Sequence, residues 1–492
     1  MTQAVNKPHQ PVWFLVGLLW LLGLLLSCIY ETRLPSTDVF LFKEAGVRLA
    51  SAGKLEASNL THMEFGETRP YAYYPPLYPT LFGVWTKVTG VGLKQSIAFD
   101  ALLRLLRTLG LIVLLYPAWR GRLRDPRATL GIAGFVLCFS LVSSDGDRPD
   151  DLAAVFGLAS LWALFRCRYA MGAFLLGCAG ATSPAGGVFF ALAASFHLLR
   201  ERRYAPWFAM GAGAALVFVL FNLPVALADP QAFLRFSKQA GISNFPYQVS
   251  TAAAFFQSFV AALTHSWNAG WPYIICALTL GFLSLSCRFA DSGWMRLSSW
   301  VFVLANLCVW TLQPYYLWFS ILGFTYYLLR QAVARPAVVL VPLVVAFLPL
   351  LFREAKGQLS AFQRTPKQSA SYVAAKVLER VGPKKSLAVG SDQYFTFRSQ
   401  REVANVNYVC PYIDKFDFVY VTPKSSRRDR TELAPFPCHT QRACFEVVAD
   451  LSPAPVFKIL GIKTPYFVRG NGGLLYQNVP CRPVNFAERR EF

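Results

Sequence analysis

Apolar residues in this chain come in long blocks, and the breaks between blocks are short. Blocks near 12–29, 97–119, 128–144, 151–165, 170–182, 187–199, 206–228, 271–287, 297–312, 315–330 and 336–352 read as membrane-spanning helices, eleven in all. The pair at 170–182 and 187–199 is shorter than the roughly 20 residues a span needs. A single broken helix there would put Arg166 and Arg200 on opposite sides, so two short spans are expected. The stretch 229–270 reads as an external loop whose middle, 252–263, lies on or dips into the membrane. After residue 352 the long apolar runs stop and short mixed elements begin. Helical spacing covers 369–381, and strand patterns cover 386–390, 416–421 and 445–449. The expected fold is a polytopic α-helical membrane protein, 1–352, followed by a small α/β domain on the outer side, 353–492.

Composition supports this division. The 492 residues are 54% apolar and only 15% charged, too greasy for a soluble chain of this length. The first block has one lysine before it and no small-residue cleavage pattern after it, so a retained signal anchor is expected, with its N-terminus inside. Arginines set the orientation: clusters at Arg120/Arg122/Arg124/Arg127, Arg166/Arg168, Arg200/Arg202/Arg203, Arg288/Arg296 and Arg330/Arg335 mark inner connections. The connections at 145–151, 182–187 and 313–316 are poor in positive charge and read as outer. Residues 353–492 therefore lie outside, with 22 Lys/Arg against 12 Asp/Glu. That surface suits anionic headgroups or phosphate-bearing substrates rather than nucleic acid. Cys410, Cys438, Cys444 and Cys481 all fall there, and their even number suggests two disulfides in an oxidising compartment. Three connectivities are possible, and closeness favours Cys438 with Cys444, leaving Cys410 for Cys481.

Charged residues in the outer connections carry the candidate chemistry. Asp38 stands where the first span emerges, before a helical pattern that keeps Glu44, Arg48 and Ser51 on one face and Phe42, Ala45 and Leu49 on another. That pattern fits a helix lying along the interface. Asp38 can cap this helix or act as a base, and the two roles are compatible. The chain then returns through Arg69 and Tyr74-Pro75-Pro76-Leu77. The next outer connection, Asp145-Gly-Asp147-Arg148-Pro149-Asp150-Asp151, is very acidic for its length, although proline with aspartate is also good N-terminal helix chemistry. Gln313-Pro-Tyr315-Tyr316 forms a third outer turn, which an aromatic belt would also explain. Lys238 and Arg235 are further outer cations, and His265 stands near Trp267 and Trp271. The histidines are scattered without zinc-ligand spacing. Gly211-Ala-Gly213 lies in a span, where small residues pack helices.

In order and sidedness these motifs resemble the GT-C glycosyltransferases, integral membrane enzymes that take sugars from polyprenyl-phosphate carriers. Asp38, the helix 39–51, Tyr74-Pro75-Pro76-Leu77 and Arg148-Pro149-Asp150-Asp151-Leu152-Ala153 carry the resemblance, which covers roughly residues 10–350. It implies Asp38 as general base, with Asp150 assisting. It also implies donor contacts from Arg69, Tyr74, Asp147, Arg148, Asp151, Gln313, Tyr315 and Tyr316. The implied partners are a polyprenyl-phosphate sugar and a lipid, glycan or protein acceptor, in the cytoplasmic membrane. Asp145 and Asp147 form the Asp-x-Asp that holds a divalent cation in metal-dependent relatives. The first loop reads Asp38-Val39-Phe40 and has no such pair, so no metal or other cofactor is expected. The turn at Thr182-Ser183-Pro184 lacks the lysine or histidine of many relatives, which leaves the substrate unassigned. A transporter or lipid flippase is the alternative, and a noncatalytic scaffold a third reading. Acids gathered in outer loops rather than within spans favour surface chemistry.

Overall fold

In a computed structural model the described residues are 10–30, 39–57, 68–72, 74–121, 125–142, 148–234, 271–286, 292–308, 316–332, 336–362, 369–390, 393–405, 413, 415–422, 444–451, 456–459, 462–467 and 473–479. Asp38, Asp145, Asp147, Arg235, Lys238, 252–263, His265, Trp267, Gln313, Tyr315, Cys410, Cys438 and Cys481 lie outside them. Cys444 begins a strand.

The chain forms two compact units. The first comprises Met1–Leu26, Pro70–Phe82 and Ala98–Lys356, and the second comprises Ser27–Arg69, Gly83–Ile97 and Gly357–Phe492. Helices occupy the expected apolar blocks: Gln10–Ile29, Leu93–Trp119, Pro126–Leu141, Asp150–Phe165, Tyr169–Gly180, Pro184–Arg200, Tyr204–Ala228, Trp271–Ser286, Gly293–Cys308, Leu317–Ala332 and Pro336–Phe362. Among the described residues, Tyr204–Ala228 is the helix both long and apolar enough to cross a membrane by itself. The last of these helices runs past the expected end at 352 to Phe362. Leu77–Thr89 is a further helix, begun by the Pro75-Pro76 pair.

In the first unit, small residues bring helices together. A Cβ on Gly187 would come within 2.6 Å of the Gly180 Cα, so the short helices Tyr169–Gly180 and Pro184–Arg200 meet backbone to backbone beside their connecting turn. A Cβ on Gly177 would strike Val217, and one on Gly157 would overlap the Phe190 ring. Two turns of this hairpin region, at Cys167 and Arg202, share one conformation. Cys167 and Arg202 both take left-handed backbone, at φ 55° and 57°. In each case the next residue's N–H returns to a carbonyl five positions back, Arg168 to Ala163 and Arg203 to Leu198.

In the second unit a five-stranded mixed sheet follows the last long helix. Its strands are β3 (Leu387–Val389), β4 (Ala404–Asn405), β5 (Phe418–Val421), β6 (Cys444–Asp450) and β9 (Leu474–Val479), in the order β4-β3-β5-β9-β6, numbered after short strands β1 (Glu56–Ala57) and β2 (Arg69–Pro70). Strands β7 (Val456–Ile459) and β8 (Ile462–Phe467) form a separate antiparallel pair. β3 runs parallel to β4 and β5, and β9 is antiparallel to both its neighbours. The helix Ala370–Val381 is capped by Ser369, whose hydroxyl accepts the Tyr372 N–H at 3.2 Å. The expected helix and three strands are therefore present, with added strands around them.

The segment after Asp38 differs from expectation. It is two short helices, Val39–Phe42 and Glu44–Ala52, and Phe42, Lys43, Glu44 and Ala45 are all buried. Of the polar face meant for water, Glu44 is enclosed, Arg48 is half-buried and Ser51 is exposed, because protein packs over the start of this segment and not its end.

Candidate active site

Four stretches of the first unit converge on Asp150. Pro149 precedes the helix Asp150–Phe165 and places Asp150 at its first position, where the helix dipole favours a carboxylate. Its side chain is fully buried. Arg148 Nε donates to Asp150 Oδ2 at 2.9 Å, and Ser183 Oγ donates to Oδ1 at 3.0 Å. Both carboxylate oxygens are thus bonded, as a buried charge requires.

Ser183 comes from the turn between the two short helices. Extended backbone before Pro184 (φ −145°, ψ 116°) suits a residue preceding proline and turns its side chain to this work. Tyr74 lies 3.5 Å away through its hydroxyl, donating toward Ser183 Oγ. The Tyr74-Pro75-Pro76-Leu77 motif is fixed to the same turn, for the Leu77 N–H bonds the Ala181 carbonyl at 3.3 Å and the Leu77 side chain packs with Cys178 and Ala181. Burial, with Tyr316 and Asp150 nearby, holds the Tyr74 hydroxyl well above the ordinary tyrosine range, so it stays a proton donor. Tyr316, just before the helix Leu317–Ala332, completes the group: the Arg148 Cζ stands 5.7 Å from its ring centroid. Arg148, Asp150, Tyr74 and Tyr316, singled out from three separate sequence motifs, therefore meet in one place.

Asp151 makes a different contact. Its Oδ1 accepts from Arg107 Nη1 at 2.6 Å, and Arg107 Nη2 donates to the carbonyls of Phe139 and Val142 at 2.7 and 2.9 Å. The Arg107 Cζ lies 4.6 Å from both the Phe139 and Trp318 ring centroids. One guanidinium so joins four helices. Asp151 thus bonds a wholly buried arginine and stands apart from the group around Asp150. Arg69 is half-buried in β2, in the second unit.

Sequence reasoning missed Ser183 and Arg107. For Arg107 the signal was available: a cation inside an apolar run must find partners. For Ser183 only the odd turn chemistry hinted at it. Among the described residues, no group of three His, Cys, Asp or Glu side chains is arranged to hold a metal ion.

The site residues bring together a cation backed by a buried carboxylate, a tyrosine hydroxyl and a second aromatic ring. Such a group can bind an oxyanion and stabilise charge developing on it.

No protein-family profile matches this chain, and no curated protein matches it. Among solved structures, the chain is similar to the crystal structure of ArnT from Cupriavidus metallidurans bound to undecaprenyl phosphate. Identity is 14% and the TM-score 0.44, covering 94% of this chain and 98% of that one.

Proposed function

We propose that this protein is a GT-C type glycosyltransferase of the cytoplasmic membrane. It would have eleven spans, an inner N-terminus and an outer C-terminal domain. It moves a sugar from a polyprenyl-phosphate donor to a lipid, glycan or protein acceptor on the outer face. The observation that carries this reading is the Arg148–Asp150 pair beside Tyr74 and Tyr316; the proposed topology puts this turn on the outer side, where a lipid-borne phosphate would arrive.

In this mechanism the acceptor hydroxyl oxygen attacks the anomeric carbon, and the bond from that carbon to the phosphate oxygen breaks. The hydroxyl proton passes to the Asp38 carboxylate, and the polyprenyl phosphate departs with its new negative charge facing Arg148. Asp150 serves by holding the guanidinium, since both its oxygens are bonded and it is shut off from solvent. Tyr74 donates a hydrogen bond to a donor oxygen. The reading uses no cofactor, on the sequence argument from the first loop.

The buried Arg107–Asp151 pair is the observation closest to a transporter's intramembrane charges. Its guanidinium bonds two backbone carbonyls and is flanked by two rings, which suits a fixed strut better than a moving charge.

The test uses the full chain in nanodiscs. Undecaprenyl phosphate alone should quench its tryptophan fluorescence saturably, and Arg148→Ala should weaken that binding at least about tenfold. With undecaprenyl-phosphate sugars as donors, Asp38→Asn should bind normally yet transfer at least about 100-fold more slowly. Asparagine caps a helix nearly as well as aspartate, so a lost cap alone would not produce that result. EDTA should change little. Unaltered binding by Arg148→Ala, or near-normal transfer by Asp38→Asn, would refute the respective assignment.

A further inference from the structure

We propose that Asn306 is a sugar-binding residue of the candidate site, whose amide oxygen accepts a hydroxyl proton of the transferred sugar and so helps to select that sugar. The proposal rests on the glycosyltransferase reading. It deepens that reading by naming a sugar contact beside the Arg148–Asp150 pair, on a residue outside every motif.

Packing within the first unit sets Asn306 level with the site. The helices Gly293–Cys308 and Leu317–Ala332 pack antiparallel: the Trp294 ring lies 6.0 Å from Tyr326, Trp300 5.4 Å from Phe324, and Phe302 6.1 Å from Phe319. Each step forward along one helix is met by a step back along the other. Asn306 comes four residues after Phe302 and Tyr316 three before Phe319, so both sit about one turn further on, along the same facing ridges. The other site helices repeat this layering. A Cβ on Gly186 would come within 2.8 Å of both the Ala153 Cβ and the Phe319 ring, and the Phe189 ring lies 5.4 Å from Phe302. Ala153, Gly186 and Phe319 each follow a site residue by three positions. One turn on from that layer stand Asp150, Ser183 and Tyr316, and the fourth place in the ring belongs to Asn306.

Asn306 is 0% exposed and its amide is only half bonded. Nδ2 donates to the Phe302 carbonyl of its own helix at 3.3 Å, while Oδ1 has no hydrogen-bond partner among the described residues. Ser320 Oγ, next to Phe319, is equally enclosed and likewise without a partner there. A buried acceptor left unbonded costs stability, and a leucine would serve packing better. Chemistry limits what can satisfy it. Oδ1 only accepts, so it repels a phosphate oxygen and has nothing to offer a polyprenyl tail. A neutral hydroxyl can donate to it, and the sugar is the part of the donor that carries hydroxyls and adjoins the phosphate facing Arg148. A site that bonds a substrate hydroxyl rejects an isomer that has none in that place.

The test uses the full chain in nanodiscs with Asn306→Leu, which keeps the bulk and removes the acceptor. The ligands are undecaprenyl phosphate and its glucose, galactose and mannose forms; galactose and mannose each differ from glucose in the direction of one hydroxyl. Read by tryptophan quenching, the parent should prefer one of the three sugar forms at least about tenfold. Asn306→Leu should bind bare undecaprenyl phosphate within about twofold of the parent and the preferred form about tenfold more weakly, so that its three sugar affinities converge. It should also melt no lower than the parent, which an asparagine kept for structure would not allow. If Asn306→Leu does not insert, Asn306→Ala should show the same convergence. A sugar preference that survives the substitution would overturn the proposal, as would an equal loss of bare and sugar-bearing carriers, or a parent that binds the three sugar forms alike. A parent that binds none of the four ligands would instead overturn the glycosyltransferase reading beneath it.

Discussion

Ser183 donates its hydroxyl to Asp150 across 3.0 Å, from a separate turn 33 positions along the chain. Without it the buried carboxylate keeps Arg148 alone, and Arg148 loses its fixed aim. A hydrogen bond to a charged group contributes about 1.5–3 kcal/mol. Ser183→Ala should therefore weaken undecaprenyl phosphate binding about tenfold or more, read by tryptophan quenching. Ser183→Thr keeps the hydroxyl and tolerates extended backbone, so it should bind nearly as well as the parent. Equal binding by the alanine variant would show that Arg148 is held by other means.

Arg107 should prove a strut. Removing one partner of a buried ion pair costs about 3–5 kcal/mol, because the other charge is left alone. Arg107→Ala is expected to unfold that much more readily in detergent titrations, and Arg107→Lys to recover little, since an ammonium cannot reproduce the fork that serves one carboxylate and two carbonyls. The double variant Arg107→Met with Asp151→Leu should be more stable than Arg107→Ala. A loss under about 1 kcal/mol for Arg107→Ala would contradict the four-helix linkage.

Acid should loosen the C-terminal sheet through Asp417. Partial burial alone would raise this carboxyl. The Ser386 N–H and hydroxyl at 2.8 and 2.9 Å, with Lys385 at 3.2 Å, outweigh that and hold it below the ordinary aspartate range. Its contribution to stability is then fully present above the unfolded pKa of about 3.9 and disappears as pH falls through the lower folded value. Calorimetry at stepped pH should show an acid loss in the parent that is smaller in Asp417→Asn. Parallel curves for the two proteins would exclude Asp417 as a contributor.

Sidedness can be read by labelling intact cells with an impermeant maleimide. Cys167 and an Arg202→Cys variant occupy equivalent turns, both assigned to the inside by their arginines. In an otherwise cysteine-free chain both should stay unlabelled, while Lys376→Cys in the outer domain reacts. Labelling of Arg202→Cys from outside would dismantle the two-short-helix topology.

The helices were legible because apolar blocks in this chain are long and bounded by arginines. Even the pair at 170–182 and 187–199 could be separated, by asking where Arg166 and Arg200 must lie. Strands were harder. β9 sits between β5 and β6, and its partners are remote in sequence, with Val419 opposite Tyr476. Its identity depends on that pairing rather than on its own pattern. The segment after Asp38 has an amphipathic period that a membrane surface and a protein socket satisfy equally well, and only tertiary packing chooses between them. In the site, Arg148, Asp150, Tyr74 and Tyr316 could be picked out by motif. Nothing in the sequence announced that Ser183 would join them, or that Asp151 would bond Arg107 instead.

The hairpin bound by Gly180 and Gly187 has a consequence for depth. Twelve residues from Tyr169 to Gly180 rise about 18 Å, against about 30 Å of hydrocarbon in an ordinary bilayer. Under the proposed topology, with Arg168 and Arg200 at the inner headgroups, helices of 12 and 17 residues would carry the turn bearing Ser183 about 18 to 25 Å across, short of the outer boundary. A carrier phosphate reaching Arg148 would then leave bulk water before it is bound, and the proposed transfer would respond to the acyl chain length of the surrounding lipid.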